Sequence, residues 1–398
     1  MKKLISLAMV TIMSFGFIGC GSKTETATPD TSVESEAPSE EAPADEVEGE
    51  AAPEGELLKV GMATDSGTID DKSFNQGTWE GIVAYEEDNG TIETRYIQPV
   101  GETEQDYLNA FADLIDAGYQ VIFAPGYKFE SAIGKAQEMY PDVKFIILDG
   151  TARDADGNEV LAPNSRGIYF DEHEAGFYAG IVSAVESKTG KLGYIGGMEI
   201  PAVQKFGWGY AAGVAYANEN YGTEAVVSQY IYQGTFTDVA AGKTLAGSFF
   251  DSGCDIVFSA AGGVGVGVIA EAKTRRQAGE DVYVVGVDVD QYDDGLLDDG
   301  TSAVLTSATK DLNEAAYLTI DEIVNGAFKG NKNVTFNSAI NGVGLPPENP
   351  NLTEESLDIY NQVYELVAAG DVVVPSSVEE LTTFLDEHGY TTPEGIVY

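Results

Sequence analysis

Basic residues, cysteine and histidine are all scarce in this chain of 398 residues. Lys and Arg number 21 against 66 Asp and Glu, a formal charge of −45 at pH 7. Such a surface would repel a phosphate backbone, which excludes nucleic acid as a partner. The 2 cysteines, Cys20 and Cys254, cannot supply a disulfide framework. The 2 histidines, His173 and His388, lie far apart and neither has a partner at ligand spacing. Each is expected at a surface or cap position, and no metal or cofactor is expected. No Ser-His-Asp or Cys-His set is present in the sequence order. Beyond residue 18 no apolar run reaches the roughly 20 residues of a membrane helix, so the remainder is expected to be soluble.

The N-terminus is a different matter. Lys2 and Lys3 precede an apolar run from Leu4 to Ile18, short for a membrane span and right for the core of an export signal. The run closes on Phe17-Ile18-Gly19-Cys20, which resembles the lipobox of bacterial lipoproteins, with Phe17 where leucine is usual. That resemblance implies a signal peptide over 1–20, with Cys20 lipidated as the mature N-terminus. Cys254, in Ser-Gly-Cys-Asp-Ile-Val-Phe, is then left to pack as a small apolar residue at a strand start. Residues 21–56 are almost wholly Ser, Thr, Ala, Pro, Gly and acidic residues, with too little apolar surface to order themselves. They read as a tether spanning about 35 Å as a flexible coil, and further under like-charge repulsion.

From Leu57 onward, strand and helix patterns alternate with short turns, the signature of parallel sheets with crossover helices. Strands are expected at 58–63, 92–98, 121–125, 144–148 and 166–170, with helices at 74–87, 104–117 and 130–139 between them. A second series has helices at 172–186, 203–219, 238–250 and 266–277 and strands at 191–195, 225–232, 255–260 and 282–288. A strand at 303–307 and a helix at 312–328 follow, then a mixed tail with helices at 354–368 and 378–387. Two sequential α/β units of similar size predict two lobes, each with its own sheet.

In open α/β sheets ligands bind beyond the carboxyl ends of strands, and four such junctions hold unusual residues. The first is Asp65 to Gln76, where Ser73 and Gln76 match a capping box and would place Phe74 and Asn75 at a helix mouth. The second is the glycine-rich stretch Ala260 to Gly267, whose backbone N–H groups could face a ligand oxygen, or which simply packs a helix closely. It matches a dinucleotide fingerprint only loosely. The third is Gly286 to Gln291, with Asp288 at a strand tip where a carboxylate can accept two hydrogen bonds from a vicinal diol. The fourth is Thr306 to Lys310, with Lys310 placed to donate into a cleft. An aromatic cluster, Pro201 to Tyr210, adds Phe206, which could face Phe74 from the opposite lobe and sandwich a flat ligand.

These segments, in this order behind a lipobox, resemble the basic membrane protein (BMP) family of lipoproteins, whose members include the purine-nucleoside-binding PnrA-like receptors of ABC importers. The match is carried by Asp65 to Gln76, Pro201 to Gly213, Ala260 to Gly267, Gly286 to Gln291 and Thr306 to Lys310. It implies the type I periplasmic-binding-protein fold, two Rossmann-like lobes joined by three hinge segments with the ligand between them. The crossings would fall near Phe170, Ser307 and Lys332. The lobes would then be 57–170 with 308–332, and 171–307 with 333–398. The resemblance further implies that Phe74 and Phe206 stack on a nucleobase and that Asp65 and Asn75 address its edge. Asp288 would take the ribose hydroxyls, Lys310 would donate to the sugar, and backbone near Gly263 would close around it. Ser66 stands where many members have glycine, and Tyr127 and Trp208 have no assigned part.

The expected function is therefore a lipid-anchored, extracytoplasmic receptor, a monomer, that delivers a nucleoside to a membrane permease. Two other readings stay open. A sugar receptor of the same fold would also use aromatic rings and carboxylates. A nucleoside hydrolase or nucleotide-cofactor oxidoreductase would use the glycine loop or Asp70 and Asp71, although those two acids more simply favour the following helix N-terminus.

Overall fold

The computed structural model describes residues 57–396; the expected signal peptide, Cys20 and the tether lie outside the described residues. The first series of elements is β1 (Leu58–Ala63), α1 (Phe74–Asn89), β2 (Ile92–Ile97), α2 (Glu104–Asp116), β3 (Val121–Pro125), α3 (Glu130–Met139), β4 (Lys144–Leu148) and β5 (Ser165–Phe170). The second is α4 (Glu172–Glu186), β6 (Lys191–Gly196), α5 (Pro201–Tyr221), β7 (Val226–Tyr232), α6 (Val239–Asp251), β8 (Ile256–Ala260), α7 (Gly263–Gln277), β9 (Tyr283–Asp288) and β10 (Val304–Lys310). The chain ends with α8 (Leu312–Val324), β11 (Lys332–Phe336), β12 (Val343–Gly344), α9 (Glu354–Ala368) and α10 (Val378–Glu387).

These elements build two six-stranded sheets, ordered β11-β5-β4-β3-β1-β2 and β12-β10-β9-β8-β6-β7. The first is wholly parallel, and only β12 runs antiparallel in the second. Helices cover both faces, so central strands are apolar throughout rather than alternating. Val121 to Pro125 and Ile256 to Ala260 are buried at every position. The free Cys254 packs just before β8, buried, as its sequence context suggested.

The chain passes between the sheets three times: after Phe170, after Lys310 and after Phe336. Two expected boundaries move. β10 does not end at Ser307, because β12 pairs with Thr309 and Lys310 and extends the strand within the second sheet. The third crossing falls after Phe336 rather than at Lys332, because β11 pairs along its whole length with β5. Both corrections come from pairing between segments distant in sequence, which no local pattern announces. The tail that follows joins the second lobe, with α9 against α4 and α10 against α5.

Glycine sets a close helix contact, that between α4 and α5. A Cβ at Gly176 would lie 2.2 Å from the Phe206 carbonyl oxygen, and one at Gly209 would lie 1.9 Å from that of His173. The two backbones can therefore touch only while both positions lack a side chain. That contact fixes where Phe206 stands.

Candidate functional site between the two lobes

The loop after β1 is organised by a carboxylate other than the expected one. Ser73 occupies the N-cap position of α1 but makes no capping hydrogen bond. Asp71 takes the role, accepting the backbone N–H groups of Ser73, Asn75 and Gln76 at 3.0–3.1 Å and the Asn75 side-chain amide at 2.8 Å. Gln76 turns back to the N–H of Lys72 instead. The capping box thus fails, and the Ser73 hydroxyl is released to donate across the interlobe gap to Asp288 at 2.5 Å. Asn75 also donates to Asp65 at 2.9 Å, so Asp65, Asn75 and Asp71 form one connected chain along the loop.

The second lobe answers with residues at strand ends. Asp288 closes β9 with φ +66°, a left-handed conformation costly for a residue with a Cβ. Asp149, directly after β4 in the first lobe, has φ +52°. Both carboxylates turn toward Lys310, which sits on β10 itself and not after it. Its ammonium lies 2.5 Å from Asp149, 3.4 Å from Glu172 and 3.7 Å from Asp288. It also lies 4.8 Å from the ring centre of Phe74 and 5.4 Å from those of Phe170 and Phe206. Three carboxylates hold the ammonium, raising its pKa against the opposing effect of burial. Lys310 is thus the hub joining both lobes to the first crossing.

Around this hub lies a cavity of about 240 Å³. Asp65, Phe74, Asn75, Phe206, Gly263, Asp288 and Lys310, all singled out from sequence, line it together. Phe206 is braced edge-on by Phe258 at 5.8 Å. α7 starts at Gly263, earlier than the expected Val266, so the glycines form its first turn and Gly262 (φ +52°) is the bend before it. Tyr127 lines the cavity and Trp208 does not; Trp208 is buried in the core. Sequence reasoning passed over Asp149, Glu172 and Phe236. An acid following an apolar β4, and another opening α4 immediately after β5, were the available signals for the first two. His173 is a further correction: expected at a surface or cap, it is buried in the first turn of α4, whereas His388 is exposed and pairs with Glu219 at 3.2 Å.

The electrostatics of this region bear on stability. Burial pushes Asp71 from 3.8 up to about 6, against the hydrogen bonds it accepts. Burial likewise lifts Asp149 to about 7, outweighing the pull of Lys310, and raises Asp65. In each case the folded state holds a proton more tightly than the unfolded chain. The stabilisation by protonation is fully present below the unfolded value near 3.8 and is lost as pH rises through 6 to 7. We therefore expect the melting temperature, followed by calorimetry, to rise as pH is lowered from 8 to 5. Relief of the repulsion within a chain of charge −45 acts in the same direction. A melting temperature that falls over that interval would show these acids to be ionised without penalty.

Comparison with known proteins agrees with the architecture. A family profile described as "Bmp: ABC transporter substrate-binding protein PnrA-like" matches residues 58–376. The "ABC transporter nucleoside-binding protein BmpA" of Lactococcus lactis subsp. cremoris is 31% identical over 327 residues, covering 80% of this chain and 89% of that protein. "Basic membrane protein A" of Borreliella burgdorferi is 33% identical over 336 residues, covering 83% and 92% respectively. In fold, the chain is similar to a solute-binding protein of an ABC transporter system from Aeropyrum pernix K1, with a TM-score of 0.70 at 22% identity over 83% of this chain and 97% of that one. A second such protein, from Conexibacter woesei, gives a TM-score of 0.62 at 21% identity, over 80% and 99%. The two sheets, the three crossings and the interlobe cavity are those of a type I periplasmic-binding-protein fold, and the chain belongs to the Bmp family of PnrA-like ABC transporter substrate-binding proteins.

Proposed function

We propose that this protein captures a nucleoside in the cavity between its lobes and presents it, in the closed form, to a membrane permease. The observation that carries the reading is that Phe74 from one lobe and Phe206 from the other line the same cavity as Asp288. Two aromatic rings suit a flat, apolar base, and a fixed carboxylate suits a ribose diol. Asp149 adds a buried oxygen, Oδ1, with no hydrogen-bond partner among the described residues. A buried acceptor in that state is satisfied by a donor from the ligand. Asp65 and Asn75 address the base edge, Lys310 donates to the sugar and the α7 start at Gly263 closes over it. The Lactococcus relative is named as nucleoside-binding, which supports the same ligand class.

Ligand binding shifts a hinge equilibrium, because contacts to both lobes exist only when they are together. Ser73 bonded to Asp288, and Gln291 donating to the Lys72 carbonyl at 2.5 Å, are protein contacts of that closed form. No covalent chemistry is needed, so a nucleoside incubated with the protein is expected back intact; release of free base would identify a hydrolase. Calorimetry against adenosine, guanosine, cytidine and ribose tests the ligand class. Saturable binding of ribose with none of the nucleosides would replace this reading with a sugar receptor.

The cavity should also discriminate by charge. Four carboxylates, Asp65, Asp71, Asp149 and Asp288, line it against the single ammonium of Lys310, which is already shared among acids. A phosphate would meet like charge at a cost of several kcal/mol. Adenosine monophosphate is expected to bind at least about 100-fold more weakly than adenosine. Comparable affinities in the same calorimetric series would disprove the charge argument.

Membrane attachment follows from Cys20, with delivery as a lipid-anchored monomer at the extracytoplasmic face. Among the described residues no helix is long and apolar enough to cross a membrane. Cys20→Ser is expected to move the protein from the membrane fraction to the soluble fraction on cell fractionation. Retention in the membrane would point to attachment by another route.

A further inference from the structure

The first crossing between the lobes carries a group of side chains that nucleoside binding does not use. Asp171 is the N-cap residue of α4 but its carboxylate makes no capping hydrogen bond. One ligand atom from each of Asp171, His173 and Glu174 lies within 4.8 Å of the other two. His173 is only 8% exposed. Its Nδ1 is buried and has no hydrogen-bond partner among the described residues. A buried imidazole nitrogen without a partner, on a ring that reaches within 4.8 Å of two carboxylates, lacks something that an electron-pair acceptor would supply.

We propose that Asp171, His173 and Glu174 form a divalent transition-metal site at the hinge. One imidazole and two carboxylates are nitrogen and oxygen donors of the kind that hold zinc, manganese or cobalt, and the imidazole argues against the all-oxygen preference of calcium or magnesium. Bonds of about 2.0–2.2 Å to such an ion would bring the three donors to about 3.4 Å from one another, which side-chain rotation would have to supply. The surrounding charge is favourable. Asp171, Glu172 and Glu380 of α10 act on the His173 ring together with one cation, Lys205, and Lys205 is paired with Glu172 at 3.3 Å.

The position gives the site its consequence. The Asp171 backbone N–H donates to the carbonyl of Phe336 at 3.0 Å, and the Glu174 carboxylate accepts the backbone N–H of Ser338 at 2.8 Å. Both partners belong to the third crossing. An ion bound here joins the first and third connections between the lobes through their own hydrogen bonds, with one open position left for water. It does not touch the nucleoside cavity.

The test uses the full chain, freed of metal by a chelator and titrated with Co2+, whose visible absorption reports nitrogen and oxygen coordination, and with Zn2+ by calorimetry. One equivalent is expected to bind and to raise the melting temperature, as for any ligand selective for the folded state. The chain has only 2 histidines, so the imidazole is assignable. His173→Gln should abolish the visible band and weaken Zn2+ binding at least tenfold, while His388→Gln leaves both unchanged. Because His173 is buried, Asp171→Asn at a half-buried position is the second variant, and it too should weaken Zn2+ binding at least tenfold in a protein that still folds. Binding that is absent, or equal in the wild type and both hinge variants, as carboxylates of residues 21–56 alone would give, overturns the proposal. Since the nucleoside cavity lies apart, failure here leaves nucleoside affinity unaltered and the preceding reading intact.

Discussion

Lys310→Met is expected to lower the stability of the folded body by about 3–5 kcal/mol at neutral pH, the cost of leaving buried carboxylates without their counter-ion. Asp149 and Glu172 on one side and Asp288 on the other approach a single ammonium that is 2% exposed in its side chain. Methionine fills a similar volume and removes only the charge and donors. The loss should shrink on acidification, and the sign follows from linkage. Without the ammonium the folded-state value of Asp149, already raised by burial, rises further above its unfolded value, and that of Glu172, which the ammonium helps to lower, rises too. The folded state then takes up protons first as pH falls, and stability returns as pH drops through those raised values toward the unfolded range near 4. Urea denaturation at pH 7.5 and pH 5 measures both effects. A midpoint unchanged by the substitution, or a deficit equal at the two pH values, would mean that the cluster is solvated and that Lys310 is not its hub.

The second large effect concerns affinity. Asp288→Ala should weaken nucleoside binding about 100-fold, about 2.7 kcal/mol, because it removes the proposed ribose acceptor and strands the Ser73 hydroxyl that bridges from the other lobe. Phe74→Ala should cost at least tenfold, about 1.4 kcal/mol, through lost stacking and apolar contact, and it leaves the carboxylate bridge in place. Calorimetry gives both constants, and small-angle scattering with and without nucleoside reports closure. The two variants should differ in kind. Asp288→Ala loses an interlobe hydrogen bond even without ligand, so its unliganded form should be the more open, whereas Phe74→Ala should close normally at saturating nucleoside. Unchanged affinity in both variants would remove the site from this cavity.

The division between sequence and structure is clearest at the loop from Asp65 to Gln76. The spacing of Ser73 and Gln76 correctly marked where α1 begins, since helix starts are declared by local polarity. It misassigned the capping group, because Asp71 and Ser73 both fit locally, and the choice was made by Asp288, 215 residues away. Lys310 shows the same limit. Its residue type at a strand end suggested a donor in a cleft, but its three carboxylate partners come from segments that meet only when the lobes do.

What the sequence determined by itself was whatever depends on neighbours along the chain. Apolar runs broken by turn residues set the α/β alternation, while the expected tether and export signal lie outside the described residues. Only tertiary structure decided the two sheet orders, the crossings after Lys310 and Phe336, the burial of His173 beside two acids, and the sharing of one ammonium by Asp149, Glu172 and Asp288. The physical reason is that strand pairing and charge burial are set by distance in space, and a chain of this length reveals those distances only once its two lobes have closed on each other.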